Sequence, residues 1–324
     1  MTETTESAGP LFLKLFGWRN SFVFGPLPML VGPLLYFYIR SFKETISFKK
    51  AWPHFVLFVA FFVVIYWWTL YLEEKYPDSV DIPEEAVRST FSIVLFSVRY
   101  GQLIAYYFLA RHALKTYQQS IQDEFSNTSK MNMNWIQWLC NGYIFLVLFS
   151  IVSFGLMIKF PENFYLLYVI NIAICTPYIY LSTYKGITQP TLWQKPAEVP
   201  VARTTINEKK VEDIIARITQ LMNNEKLYQE PELTLQDLSS KLEFPAHQVS
   251  QAINEGMKKN FYDLVNGYRV EEAKRLLQNV KSRNYTILSV GFEAGFNSKT
   301  TFNTVFKKFT GLTPTNFRDQ AMIT

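Results

Sequence analysis

The residue types that usually carry chemistry are sparse in this chain. Its three histidines, His54, His112 and His247, stand far apart, and no two share a spacing that would let them ligate one metal ion. The only cysteines, Cys140 and Cys175, both fall inside apolar runs, so neither a disulfide framework nor a thiolate zinc site can be built, and packing is their expected role. There is no phosphate-cradling glycine loop and no nucleophile elbow. Enzyme activity, a cofactor and a metal are therefore not expected. The residue that stands out is Arg99, the one charge near the middle of an otherwise uncharged run from Ser89 to Ala110. Burying a guanidinium in hydrocarbon costs at least a few kcal/mol, so Arg99 should face a polar interior or a partner. Asn141, Asn171 and the tyrosines are candidate hydrogen-bonding neighbours, and an anionic ligand or lipid headgroup is a candidate counter-ion. Arg99, Asn141 and Asn171 thus form a candidate intramembrane polar site; the plainer alternative is an arginine satisfied within the bundle or snorkelling to its edge.

The elements that must hold such a site follow from composition. The 324 residues are 49% hydrophobic and 17% aromatic, yet mean hydropathy is only +0.03, an average over two unlike halves. Before Lys185 the chain is mostly long uncharged runs; after it, charge recurs every few residues. A single soluble globule and an all-membrane protein are both excluded. Four segments reach the roughly 20 apolar residues that a crossing helix needs: about 51–72, 89–110, 131–158 and 163–184. A fifth, 22–39, carries Gly25, Pro26, Pro28, Gly32 and Pro33, so its start should not be a straight helix. Arg40, Lys43, Lys49 and Lys50, then Arg111, Lys115 and Lys130, then the residues after Lys185 place the basic loops on one side. The acidic loop from Glu73 to Glu85 falls on the other. Basic loops stay cytoplasmic, so about five spans over 1–185 put the N-terminus outside and the C-terminal half in the cytoplasm of a bacterial inner membrane. The opening Met-Thr-Glu-Thr-Thr-Glu lacks the basic flank of a cleavable signal peptide. The outer loops are too short for a ligand-binding domain, so any signal must be a small molecule within the bundle, the bilayer itself or a membrane partner. Neither a carboxylate relay nor the paired broken helices of a transporter site is present. Pro177 should bend the last span, as a tolerated membrane proline or as a hinge.

Residues 186–206, with Pro190, Pro196 and Pro200, read as an extended linker. Over 207–227, Val211, Ile214, Ile215, Ile218, Leu221 and Met222 recur at spacings of three and four, giving an amphipathic connecting helix that packs on the next domain or forms a dimer seam. From Thr234, short helices alternate with tight turns. Thr234 caps one holding Leu235, Leu238 and Leu242, and after Phe244-Pro245 a second holds Val249 and Ile253. This is a helix-turn-helix pattern, weak evidence when taken alone. After a long amphipathic helix from about Phe261 to Asn279 the pattern recurs. Ile287, Val290 and Phe292 precede a turn at Gly295, and Ser298 caps a helix with Phe302, Val305, Phe306 and Phe309. Two such units on one helix would let a single chain address successive major-groove segments.

The run from Tyr268 to Leu277 (YRVEEAKRLL), ILSVGFEAGF at 287–296, SKTTFNTVFKKFTG at 298–311 and TPTNFR at 313–318 resembles the DNA-binding domain of the AraC/XylS family of transcription regulators. The likeness covers about Thr234 to Arg318 and is similar to family members whose sensing half is a multi-span membrane domain. Those relatives have more spans upstream, which implies one or two further helices before this N-terminus. The resemblance implies an all-α protein: a polytopic membrane bundle followed by a cytoplasmic domain, 228–324, with two helix-turn-helix units. Carried over position by position, it implies base reading by His247, Ser250 and Gln251 in the first unit and by Lys299, Thr300, Asn303 and Thr304 in the second. Gln and Asn suit adenine, and Lys suits guanine acceptors. Gln251 and Thr304 stand where a recognition helix often has arginine, so the family's sequence preference is not inherited. Lys258, Ser298, Lys307 and Lys308 are expected phosphate contacts.

Charge supports this unevenly. From Gly256 to Arg318 there are eleven Lys and Arg against four Asp and Glu, whereas from Asn207 to Glu255 there are five against nine. The basic face therefore belongs to the long helix and second unit, and the acidic first portion suits RNA polymerase or the membrane half. The expectation is a membrane-integrated, sequence-specific transcription regulator whose partners are double-stranded DNA, the lipid bilayer, RNA polymerase and a second copy of the chain. Its signal would pass through the last span and the proline-bearing linker, or proteolysis in that linker would release the domain. The alternative is a membrane receptor or transporter whose C-terminal domain is a protein-interaction module, which should show exposed apolar anchors.

Overall fold

The computed structural model describes residues 25–77, 83–128, 134–188, 207–279 and 285–321. Among them the chain is all-α, and its one β feature is an isolated antiparallel bridge between Phe125 and Thr234. It divides into two compact units. The first comprises 1–115 and 133–190, the second 116–132 and 191–324.

In the first unit, α1 (Pro28–Arg40) is followed by helical turns over 48–55 and then α2 (Val56–Lys75). A short α3 (Glu84–Arg88) precedes α4 (Thr90–Glu124), α5 (Asn134–Lys159) and α6 (Phe164–Thr188). Among the described residues four helices are long and apolar enough to cross a membrane: Phe48–Lys75, Thr90–Glu124, Asn134–Lys159 and Leu166–Thr188. They match the four uninterrupted runs. The described part of the proline-bearing fifth run is α1, which at 13 residues is about 20 Å long, short of a roughly 30 Å core. Residues 22–24 lie outside the described residues.

Close approach holds these helices together. A Cβ on Gly32 would come within 2.8 Å of Tyr106, and one on Gly142 would run into the ring of Tyr178, so α1 nests on α4 and α5 on α6 at glycines. Tyr143 donates to the Leu103 carbonyl at 3.0 Å, Gln102 to that of Met29 at 3.2 Å, and Tyr178 to that of Leu139. Val59, Trp67, Val152 and Leu166 are among the many large apolar side chains facing outward, the inverse of a water-soluble bundle.

The second unit starts where α4 continues past the apolar run. Beyond Lys115 the helix is polar on most sides but buries Tyr117 and Ile121, and residues 116–128 fold with the C-terminal domain. That domain contains α7 (Glu208–Asn224), α8 (Leu235–Leu242), α9 (Ala246–Gln251, followed by a wide turn through Gly256), α10 (Phe261–Gln278), α11 (Ile287–Glu293), α12 (Lys299–Thr310) and α13 (Pro314–Ala321). Each helix that opens a unit is capped from its own sequence. Thr234 and Asp237 form a reciprocal capping box, and Asn260, Thr286 and Ser298 accept from backbone amides two or three residues into α10, α11 and α12. The cores are two. Ile214, Ile218 and Met222 of α7 join Leu235, Leu238, Leu242, Val249, Ile253 and the first turns of α10. The later turns of α10, from Val270 to Leu277, pack with Val290, Phe296, Phe302, Val305 and Phe306. The amphipathic face of α7 is thus spent on the first core. Phe292 and Phe309, which continue the apolar spacing of these helices, are 50% and 40% exposed. Most of the linker expected at 186–206 lies outside the described residues; only its first three residues are seen, as the end of α6.

Candidate nucleic-acid interface

The second unit offers the clearer surface. The α11–α12 turn closes on Gly295, whose φ of +97° suits glycine, and a Cβ there would sit 2.6 Å from the Tyr228 carbonyl. Ser298 then starts α12: its Oγ accepts from the Thr301 amide at 3.1 Å and donates to Thr301 Oγ1 at 2.9 Å. Phe302, Val305 and Phe306 face the core, which turns Lys299, Thr300, Asn303 and Thr304 into a stripe along the opposite side. Lys299, Thr300 and Thr304 are exposed and Asn303 is half-buried beside them. Among the described residues Lys299 and Lys307 make no ion pair. Lys308 is engaged: its Nζ lies 2.7 Å from Asp263 Oδ1 and over the rings of Tyr262 and Phe309. Ser298 is likewise occupied by its cap.

The first unit differs. Its turn runs through Glu243, at φ 60°, with Ser239 Oγ donating to the Phe244 carbonyl at 2.6 Å, and α9 begins after Pro245. His247, Ser250 and Gln251 are half-buried and share a face. Gln251 Nε2 donates to Glu255 at 2.8 Å and Asn254 to Ser250 Oγ at 3.3 Å, so two of the three already hold intrahelical partners. Glu255 adds a carboxylate beside the reading face, a neighbour that spacing alone did not single out. Lys258 is exposed at φ 53°, in the bend leading to α10. The 18 residues of α10 give it a length of about 27 Å, and its two ends belong to different cores.

Two helix-turn-helix units on one shared helix define the type of domain. Residues 238–320 are a helix-turn-helix domain. The match is to the family model of that description and covers the second helix pair, the shared helix and nearly all of the first unit. Neither a curated protein nor a solved structure matches the chain.

The helix-turn-helix domain also holds a group that the sequence reading passed over. Arg269, on α10, is 1% exposed. Burial pulls its pKa down to about 10, with Tyr262 and Glu232 opposing, so it is charged at neutral pH. Its Nε donates to the Tyr228 carbonyl at 2.7 Å and Nη2 to that of Glu230 at 2.7 Å. Nearby, Glu272 lies 2.8 Å from Arg275 and 3.2 Å from Lys226; the hydrogen bond from Arg275 holds its carboxyl below the usual range against the effect of burial.

In the first unit of the chain, Arg99 rests its guanidinium against the rings of Phe96 and Tyr100, at 5.9 and 5.7 Å, and its buried Nε meets no hydrogen-bond partner. Asn171 exchanges hydrogen bonds with Ser150 and accepts from Cys175, and Tyr100 donates to the Ser150 carbonyl at 3.0 Å. Arg99 lies within electrostatic reach of Tyr100, Tyr168 and Cys175, so it and Asn171 border one polar cluster. Asn141 is exposed and makes none of these hydrogen bonds.

Proposed function

We propose that this chain is a membrane-integrated, sequence-specific DNA-binding transcription regulator of the AraC type, with α2, α4, α5 and α6 crossing the inner membrane and the C-terminal domain in the cytoplasm. The observation that carries the reading is the stripe of Lys299, Thr300, Asn303 and Thr304, polar and free along α12 while the opposite side fills the core. A lysine without an ion pair beside an amide and two hydroxyls can donate to base edges and accept from them, which a solvated basic surface alone would not need. His247, Ser250 and Gln251 read the second half-site from α9, more weakly because Glu255 stands among them. Lys258, Lys307, Lys308 and Ser298 contact phosphates, with Lys308 first leaving Asp263. RNA polymerase and a second copy of the chain are the protein partners of this reading.

Sensing belongs to the bundle. Arg99, with Asn171 beside it, is the group to receive an anionic small molecule or lipid, since its guanidinium rests on two aromatic rings and its buried Nε has an N–H still to give. A second reading, a protein-interaction module, draws on one observation, the exposed Phe292 and Phe309. Those exposed rings do not replace the stripe, so they suit a protein partner of the DNA-bound domain.

Selection of binding sites from random duplex DNA by the full chain in nanodiscs, near physiological salt, tests the function. The expected result is two half-sites about 10 base pairs apart, lost on K299A and N303A. Enrichment of no sequence by the folded, membrane-embedded chain would overturn it.

A further inference from the structure

Residues 122–127, the last turn of α4 and the three residues after it, are built into the helix-turn-helix domain. Ser126 is fully buried; its amide donates to the Leu233 carbonyl at 3.2 Å and its Oγ to the same oxygen at 2.6 Å. Arg269 Nη2 donates to Ser126 Oγ at 3.2 Å, and Asn266 Nδ2 to the Ser126 carbonyl at 2.9 Å. Phe125 bridges to Thr234, the residue that caps α8. Asn127 donates to Glu232 Oε1 at 3.2 Å, and the same carboxylate oxygen receives Asn297, next to the cap of α12, at 2.8 Å. Gln122 receives Asn260, the cap of α10, at 3.4 Å. One six-residue segment therefore touches the start of the first unit, the shared helix and, through Glu232, the turn before the second recognition helix.

This is more than a loop lying on a surface. A buried guanidinium needs every partner it has, because an unpaired donor in a low-dielectric interior costs far more than a paired one returns. Without Ser126, Arg269 and Asn266 would lose acceptors at the junction between the two units. The segment is also continuous with α4, which runs unbroken for 35 residues, about 52 Å, well beyond the span of a hydrocarbon core.

We infer that residues 122–127 are an intrachain clamp that completes the DNA-binding domain around Arg269, and that α4, not the 189–206 linker, is the route by which the state of the bundle reaches the two recognition helices. A shift or rotation of α4 moves Ser126 against Arg269 and so alters the angle between the helix-turn-helix units. The clamp does not depend on the proposed DNA reading, because its contacts exist with no nucleic acid present.

The test is retention after the linker is cut. A specific protease site is placed between residues 191 and 199 of the full chain, which is reconstituted in neutral phosphatidylcholine nanodiscs. It is then cleaved at about 0.5 M salt, where surface charge attraction is screened, and passed over a sizing column without DNA. The expected outcome is that the C-terminal fragment co-elutes with the disc. S126R, which sets a second guanidinium against Arg269, should release it. S126A, which removes only the hydroxyl and leaves the fold able to form, should shorten the residence time on the disc several-fold. A wild-type fragment that elutes free of the disc overturns the proposal, as does an S126A fragment that dissociates at the wild-type rate. Failure of the DNA-binding experiment would leave either retention result unchanged, so the two readings fail separately.

Discussion

Lysines of the second unit that look alike in the sequence are set apart by their neighbours. Among the described residues Lys299 makes no ion pair and stands among base-reading candidates, Lys307 makes none in the last turn of α12, and Lys308 is held by Asp263. On the selected site, K299A should weaken binding by about 1–3 kcal/mol and relax preference at one base pair. K307A should weaken binding to all sequences alike and lower the slope of log K against log salt by about one, with K308A doing less because its ion pair must first break. Titrations between low and moderate salt on specific and random duplexes separate the three; equal effects on both duplexes for K299A would remove it from base reading. Glu272 gives a pH prediction. Its carboxyl lies below its usual range when folded, so its contribution is present at neutral pH and is lost as pH falls through and below the ordinary carboxylate range. The melting temperature of E272Q should therefore fall short of wild type at pH 7, and the gap should close towards about pH 3. A gap that stays constant with pH would mean that packing, not charge, explains the loss.

Between elements, the turns decide more than the helices. Gly295 and Gly311 both have positive φ, but a Cβ on Gly295 meets the backbone of Tyr228 and Gln229, whereas one on Gly311 meets nothing within 4 Å. G295A should accordingly cost roughly 2 kcal/mol or more in denaturant unfolding of the domain, and G311A about 1 kcal/mol from backbone strain alone. Equal losses would show that the approach of the turn to Tyr228 is not tight. The same contrast explains what the sequence revealed. Thr234, Asn260, Thr286 and Ser298 carry local capping signals, and α10 was legible almost to the residue because Leu264, Val265, Ala273, Leu276 and Leu277 recur at helical spacing. Phe292 and Phe309 obey the same spacing but lie outside, since periodicity marks a face without saying how wide the covered part is. The stripe proposed to read bases was legible only through resemblance. The junction at Arg269 was not legible at all: its partner Ser126 is 143 residues away, and nothing local distinguishes Arg269 from Arg275 on the same helix.

At the scale of the molecule, the change from apolar to polar within α4 looks in the sequence like the end of a span, because hydropathy reports the solvent and not the helix. The backbone hydrogen bonds continue regardless, and Tyr117 and Ile121, four residues apart, are buried past that change. This continuity makes helical phase a test of how the chain is wired. Each residue added to a helix turns all that follows by about 100° and advances it by about 1.5 Å. One alanine inserted after Gln119 would swing Ser126 away from Arg269, while the same alanine inserted at residue 195 leaves the phase of α4 untouched. The expected outcome is that the α4 insertion weakens selected-site binding by the full chain at least tenfold, that the linker insertion leaves it within about twofold, and that an α4 insertion of seven residues, close to two whole turns, recovers much of the binding by restoring the phase. If one and seven residues act alike, or if the linker insertion is the damaging one, the recognition helices take their setting from the linker and not from α4.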